Sequence, residues 1–424
     1  MAKSLNADLL TAQTTGYPTG GFQPAVRCKF HANTIDGEPS HDYSFDPTVT
    51  TNRLQHVQHI EDPQNDSGVI LLSNNNKSVP VDLRGYLVHL GWGLNTASGI
   101  KNNEASGAVA PALWVLKQSD ISGAPKGQQN ELYTVFELRG VWQAILNAQP
   151  IRLGATPYFW SNISPAFLGE GVNNIPELAN KTVFECLEYL IETSLSEQTG
   201  LGFYLDALGD QDDGLINDIT KVNPFPTDGV SLLYDYEIEP FGTYGAFINK
   251  LLALTNCRLR TQPSLTFKII YPQDSDSVDE TYYSDMAVGH PFYEVNHSRI
   301  EERSSGTPLP NHIQIWGGED EMTGLPLYSG NWFDSDHYST EPTSFDSAAI
   351  EAAYTGAFMP VTFEGDELTV IWERGFVSNA QCAALAASLG IQMRANALGT
   401  RVIIPMDARV ELFDRVKTVD TRGA

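Results

Sequence analysis

The sequence predicts an α+β protein that is mainly β. Short apolar segments alternate at a period of two, as strands with one buried face do. The chain's 24 prolines and 35 glycines break it into short pieces, which favours many strands and long loops over helical bundles. Only a few stretches place apolar residues three and four apart on one helical face. With 424 residues, 42% of them apolar and 10% aromatic, there is chain enough for a large core, divided over roughly two to four domains.

Residues 1–65 are polar, rich in Thr, Asp and His, and interrupted by Gly20-Gly21 and several prolines. Strands are expected at 25–30 and 69–72. Over 79–90, Val79, Val81 and Leu83, then Tyr86, Val88 and Leu90, alternate as a half-buried sheet would. Segments 112–116 and 132–138 continue the series, while 140–146 around Trp142 is ambiguous, a short helix being one reading. Strands separated by Gly- and Asn-rich turns point to a barrel or a sandwich.

A stretch with helices follows. Residues 182–191 carry their apolar side chains on one face, and Thr182 with Glu185 fits a capping box. A strand is expected at 202–205 and a second one-sided helix at 244–252. That helix feeds a hairpin, 257–261 and 265–271, around a Gln262-Pro263-Ser264 turn, with Leu265, Phe267 and Ile269 facing a core and Thr266 and Lys268 facing water. Helix followed by sheet thus occurs twice, without a residue-level repeat. The acidic run 274–280 reads as a solvated loop, 312–316 as a strand, and 319–353, with Trp332, as a surface insertion.

The last sixty residues read strand, strand, helix, strand, turn, strand. After strands in 361–372 comes a helix over 378–398, capped by Ser378 and striped by Cys382, Leu385, Ala386, Leu389 and Met393. A strand at 401–405 follows. Val410, Leu412 and Val416 then mark strands on either side of a Phe413-Asp414 turn.

This closing order, and the string ARVELFDRVKTVD at 408–420, resemble the end of phage tail hub (baseplate hub) proteins, with their acidic L-x-D-x-V strand-turn-strand. PLPNHIQIWGG at 308–318 resembles the P-N-x-V-x-V-x-G strand by which such proteins return to a second barrel. The likeness covers 180–423 by degenerate motifs and the earlier residues by element order alone. It implies two tube-like β-barrel domains with inserted helix-containing α+β domains: 1–160 as the first barrel, 161–290 as the insertion, and 291–424 as the second barrel with a surface insertion at 319–353. It also implies a structural virion protein at the tail tip, assembled in the host cytoplasm. Three copies would form a ring between the tail tube and a tip fibre or spike. The implied partners are the chain itself as a homotrimer, the tail tube or distal tail protein, the tape measure protein, and the fibre or spike, with DNA passing through the lumen unbound.

The charge agrees with a passive conduit. There are 52 acidic against 26 basic side chains, a formal net charge of −26. Affinity for polyphosphate comes from Lys and Arg displacing counterions, so this balance opposes non-specific DNA binding and also keeps the protein soluble. The four cysteines, 28, 186, 257 and 382, form no C-x-x-C pair; three fall in or beside apolar segments, as buried free thiols do, which suits a reducing compartment. The N-terminus lacks the apolar run of a signal peptide, and the most apolar window, 107–116, is too short to span a bilayer, so no membrane segment is expected. The chain stops just past a strand at 419–420, as an assembly interface or a longer polypeptide would leave it.

No catalytic, cofactor-binding or metal-ligating residue is nominated, and the chain is not expected to be an enzyme. His56 and His59 are three apart but lack the Glu of H-E-x-x-H. In the acidic stretch 210–218, alignment of Gly214 with an EF-hand glycine leaves only Asp213 as a proper side-chain ligand. Neighbouring acids such as Glu301-Glu302 or Glu319 and Glu321 are expected by chance at this composition. Ser98 lacks the glycine of a nucleophile elbow, and the glycines around Lys126 lack Walker spacing. Two alternatives remain: a tail-tip cell-wall hydrolase, which needs converging acids, and a carbohydrate- or receptor-binding module displaying Trp160, Trp332 and Tyr338.

Overall fold

The structure, a computed structural model, describes residues 5–19, 23–32, 40–102, 110–123, 131–147, 182–206, 216–217, 243–253, 255–262, 265–273, 276–283, 298–301, 312–320, 322–333, 368–373, 378–397, 400–403 and 407–419. The chain is mainly β with a minority of helix, and its sheets are open. No sheet closes on itself among the described residues.

Helix α1 (Ala7–Thr19) precedes β1 (Pro24–His31), the two-residue β2 (His41–Asp42), β3 (Leu54–Ile60), β4 (Ser67–Ser73), β5 (Leu87–Thr96), β6 (Gly99–Asn102), β7 (Leu113–Gly123) and β8 (Glu131–Gly140). These strands form one eight-stranded sheet in the order β2-β1-β5-β7-β8-β4-β3, with β6 added to β5. The pairings within it are antiparallel. Its inner face is the alternation expected from sequence. Cys28 and Phe30, Ile70 and Leu72, Val88 and Leu90, and Phe136 and Leu138 are all buried in one cluster.

The segment before β5 departs from expectation. Val79 and Leu83 are buried, but Val81 is 96% exposed and no strand begins until Leu87. Pro80 has no N–H for a ladder, and the turn at Asp82-Arg84 ends on Gly85 at φ 83°, so alternation here belongs to a loop rather than a pleat. Farther on, a β-bulge between Val115 and Lys117 in β7 turns Leu116 out to solvent.

After β8 the ambiguous segment is helical, a wide π-type turn at Trp142–Leu146. Helix α2 (Val183–Glu188) has the predicted capping box, with Thr182 Oγ1 accepting from Glu185 N at 3.1 Å and Glu185 Oε2 accepting from Thr182 N at 2.8 Å. It runs on through Tyr189–Leu195 and Ser196–Thr199 and stops at Gly200, whose φ of 72° suits a left-handed C-terminal residue. Next come β9 (Tyr204–Asp206), α3 (Tyr244–Leu252), β10 (Arg258–Gln262) and β11 (Thr266–Ile270). The two helix-then-sheet units are not separate, because β9 pairs in parallel with β11 and β11 pairs antiparallel with β10 in one three-stranded sheet. Phe267 and Ile269 are buried as predicted.

The core beneath this sheet also takes side chains from the first region. Trp114, Trp142 and Leu146 lie in one buried cluster with Val183, Leu190, Tyr244 and Phe267. Consecutive residues of β7 therefore feed two cores: Leu113 and Val115 point into the first and Trp114 into the second.

The remaining elements are β12 (Glu280–Tyr283), β13 (Ser298–Glu301), β14 (His312–Gly317), β15 (Tyr328–Phe333), β16 (Leu368–Glu373), α4 (Asn379–Ala397), β17 (Thr400–Ile403) and β18 (Val416–Val419). β14 pairs antiparallel with β15 and parallel with β16, while β12 pairs with β18 and β13 with β17. Helix α4 has the predicted cap, Ser378 Oγ accepting from Gln381 N at 3.3 Å. Its predicted stripe packs on Ile313 and Ile315 of the sheet.

Three expectations change here. Part of 319–353 is β15, whose Trp332 packs against α4 rather than standing in solvent. Gly330 and Gly390 permit that close approach, since a Cβ on Gly390 would lie 2.3 Å from the Trp332 ring. Finally, 408–412 is turn rather than strand, and only Val416–Val419 pairs; the turn itself lies where predicted, with Phe413 at φ 70°.

Candidate functional site: a charged junction at the closing segment

Residues 407–415 bring together several charged side chains that are largely enclosed by the fold. Asp407 is the hub. Its carboxylate accepts from Gln13 Nε2 of α1 at 2.6 Å, from the Tyr282 hydroxyl of β12 at 2.8 Å, and from the Arg409 backbone at 2.9 Å. The Arg409 guanidinium donates to the same carboxylate at 3.0 and 2.8 Å, in a two-pronged pairing, and reaches Glu280 at 2.5 Å through its third nitrogen.

A second cluster sits one turn later. Arg260 of β10, 7% exposed at its side chain, donates to the Leu412 carbonyl at 2.9 Å and pairs with Glu411 at 3.0 Å and Asp414 at 3.4 Å. Asp414 in turn accepts from Glu411 N at 2.9 Å, closing the Phe413 turn. Asp279 N then donates to the Arg415 carbonyl and Arg415 N to the Asp279 carboxylate, each at 2.8 Å, and the Arg415 guanidinium donates to the Asp276 carbonyl. The acidic run predicted as solvated loop is therefore, at Asp276 and Asp279, a docking edge for the closing segment.

The electrostatics follow from this packing. Burial alone would raise the Asp407 carboxyl, but hydrogen bonds from the Arg409 side chain and backbone outweigh it and hold the group below its ordinary value. Burial, then the adjacent Asp407 carboxylate, raises the Tyr282 phenol and keeps it a neutral donor. Burial also raises Asp414 despite the Glu411 N–H and Arg260. Each carboxylate here is committed to a fixed donor. The arrangement locks segments together rather than offering a free acid or base to a substrate.

The residues weighed from sequence do not come together. His56 is on the exposed side of β3, whereas His59 is buried and its Nε2 lies 2.8 Å from Asp66 Oδ1. That pair is an internal tie of β3 to the start of β4. Ser98 lies in the turn between β5 and β6, Glu301 is on β13, and Glu319 follows β14. Lys126, Trp160, Asp213, Glu302, Glu321 and Tyr338 lie outside the described residues. No group of three or more His, Cys, Asp or Glu side chains that could hold a metal occurs among the described residues. The four cysteines are free and buried. No described helix is long and apolar enough to cross a membrane.

Sequence reasoning found the closing motif but missed its partners. Arg260 and Asp414 are 154 positions apart, and Gln13 and Asp407 are 394 apart. One local sign was available: Arg260 follows Leu259 in a short strand beside a core, where an unpaired cation would be costly.

No family model matches the chain, and no curated protein matches it. Among solved structures, the tail protein from Neisseria meningitidis MC58 aligns over 94% of this chain and 87% of its own, at 11% identity and a TM-score of 0.49. The 43 kDa tail protein of prophage MuSo2 from Shewanella oneidensis aligns over 90% and 81%, at 10% identity and a TM-score of 0.43. The prophage tail protein gp18 from Listeria monocytogenes EGD-e aligns over 84% and 75%, at 7% identity and a TM-score of 0.39.

Proposed function

We propose that this chain is a structural component of a phage tail, a hub at the distal end of the tail tube. In this reading, three copies form a ring that joins the tube to a tip fibre or spike and surrounds the DNA path. The ring acts by shape and adhesion, without bond chemistry. Each copy would contribute two tube-like barrels, with the inserted α+β unit between them.

The observation that supports this most directly is the charged junction. Arg260, Asp407 and Arg409 tie the N-terminal helix, the inserted sheet and the closing strand to one point. Removing one partner of such a buried pair costs on the order of 3–5 kcal/mol, whereas the pair itself adds little over an apolar substitute. Its value is therefore in fixing how remote segments sit, which a subunit of a stiff ring requires. The net charge of −26 supports a lumen that repels nucleic acid.

Electron microscopy with sedimentation of the purified chain tests this. The expected result is a closed ring of threefold symmetry with an open bore, and no lysis of cell-wall material in zymograms. A chain that stays monomeric at every concentration, or robust lysis, overturns it.

A further inference from the structure

The N-terminal helix meets the junction through a side chain that is only half satisfied. α1 starts at Asn6, whose side chain accepts from Asp8 N at 2.9 Å and whose carbonyl accepts from Leu10 N at 2.9 Å. The helix lies against β5 and β6, with Leu9 and Gln13, one turn apart, both fully buried. Gln13 Nε2 donates to Asp407 at 2.6 Å, but Gln13 Oε1 is buried without a hydrogen-bond partner. A bond to a charged group and the burial of an unpaired acceptor are each worth roughly ten- to a hundredfold in an equilibrium constant, with opposite sign. The amide therefore fixes where α1 lies without binding it tightly.

The helix is also poorly suited to stand alone. Residues 14–19 read Thr-Thr-Gly-Tyr-Pro-Thr, in which Gly16 weakens a helix and Pro18 offers no N–H to its ladder. Its 13 residues are marginal for a helix without tertiary support. Among the described residues, none of the three buried clusters takes a side chain from α1. On the other side of the bond, Asp407 keeps four donors without Gln13: the Tyr282 hydroxyl and the backbone, Nε and Nη2 nitrogens of Arg409. The carboxylate is thus satisfied whether or not α1 is in place.

We propose that α1 is a releasable strap, docking and undocking over β5 and β6 while the Asp407–Arg409–Tyr282 junction and the sheet beneath stay folded. Gln13 is its catch: the bond to Asp407 sets the position of the helix, and the unpaired carbonyl keeps the docked state shallow. Release is a local opening, lower in free energy than unfolding of the cores. The guanidinium contacts of the junction are its fixed arms, and the Gln13 amide is the arm that lets go. This device goes beyond the tail reading and does not depend on it.

Hydrogen–deuterium exchange on the full chain, read by mass spectrometry over 5–19, 87–96 and 407–419, tests it, with thermal melts checking the fold of each variant. In the parent, 5–19 should exchange at least about tenfold faster than the other two segments. Gln13→Met keeps about the same volume, removes the unpaired acceptor and leaves Asp407 its four other donors, so exchange in 5–19 should slow about fivefold. Gln13→Glu sets a second carboxylate against Asp407 and should speed exchange in 5–19 at least about tenfold near neutral pH, with the other two segments unchanged within about twofold. Unchanged or faster exchange of 5–19 in Gln13→Met means that the amide grips the helix, and overturns the strap. So does a parent in which 5–19 is as protected as the other segments, or a Gln13→Glu variant that leaves 5–19 unchanged or loosens 407–419 along with it.

Discussion

Replacing Arg260 by Met should separate the junction's role from that of the apolar cores. The guanidinium is 7% exposed and faces Glu411 and Asp414, 11% and 2% exposed at their side chains. Met fills most of the aliphatic space but leaves two buried acids and the Leu412 carbonyl without their donor. Loss of one partner from a buried pair costs about 3–5 kcal/mol. Asp414 keeps the Glu411 N–H and its carboxyl is already raised, so it relieves some of this by taking a proton; about 3 kcal/mol is the expected loss near neutral pH. The assay is urea unfolding followed by tryptophan fluorescence, with limited proteolysis to show whether 407–419 is released first. Asp414→Asn in the Arg260→Met background should then cost far less than in the parent, because the two share one interaction. A loss under about 1 kcal/mol for Arg260→Met, or additive effects of the two changes, would refute the view that this arginine anchors the closing turn.

Two further outcomes follow from geometry and charge. Gly330→Ala places a Cβ 2.0 Å from the Ala383 nitrogen of α4, and backbone cannot swing aside, so stability should fall by about 2 kcal/mol or more in urea midpoints. Gly202→Ala meets nothing nearer than 3.7 Å and should be neutral or slightly stabilising, and equal effects at the two sites would contradict the packing of α4 on β15. Asp407 titrates below its ordinary value in the folded chain, so its ionised form contributes stability above about pH 4 that is lost as pH falls through the folded value. Asp407→Asn should therefore destabilise the protein at neutral pH, the gap from the parent closing in acid, and a gap that widens on acidification would rule out that sign. Asp414 and Asp66 are shifted upward and work in the opposite sense, so the difference between parent and variant isolates Asp407.

What was legible in the sequence was local. The Thr182–Glu185 box, the Ser378 cap, the stripe of α4 and the Cys257–Tyr271 hairpin depend on neighbours a few positions away, and the structure has each of them. Val81 misled because alternation was counted across Pro80, where no ladder can form. Leu116 is outside because a bulge shifts register, which composition does not announce. Trp332 lies in a polar stretch, and its packing against α4 depends on a glycine in that helix that permits helix and strand to touch. The junction was the least legible part, because its partners come from α1, β10, β12 and the closing turn, and only the folded chain brings them together.

The way β7 sends Trp114 to one side and Leu113 and Val115 to the other has an evolutionary consequence. A graft that exchanged residues 182–271 for a foreign unit would inherit the indole rings of Trp114 from β7 and Trp142 from the turn after β8 and would have to fit around them. Lineages that vary this unit must carry those two tryptophans along or repack around their loss, so the surviving variants should diverge on the solvent side of the helices and stay uniform beneath them.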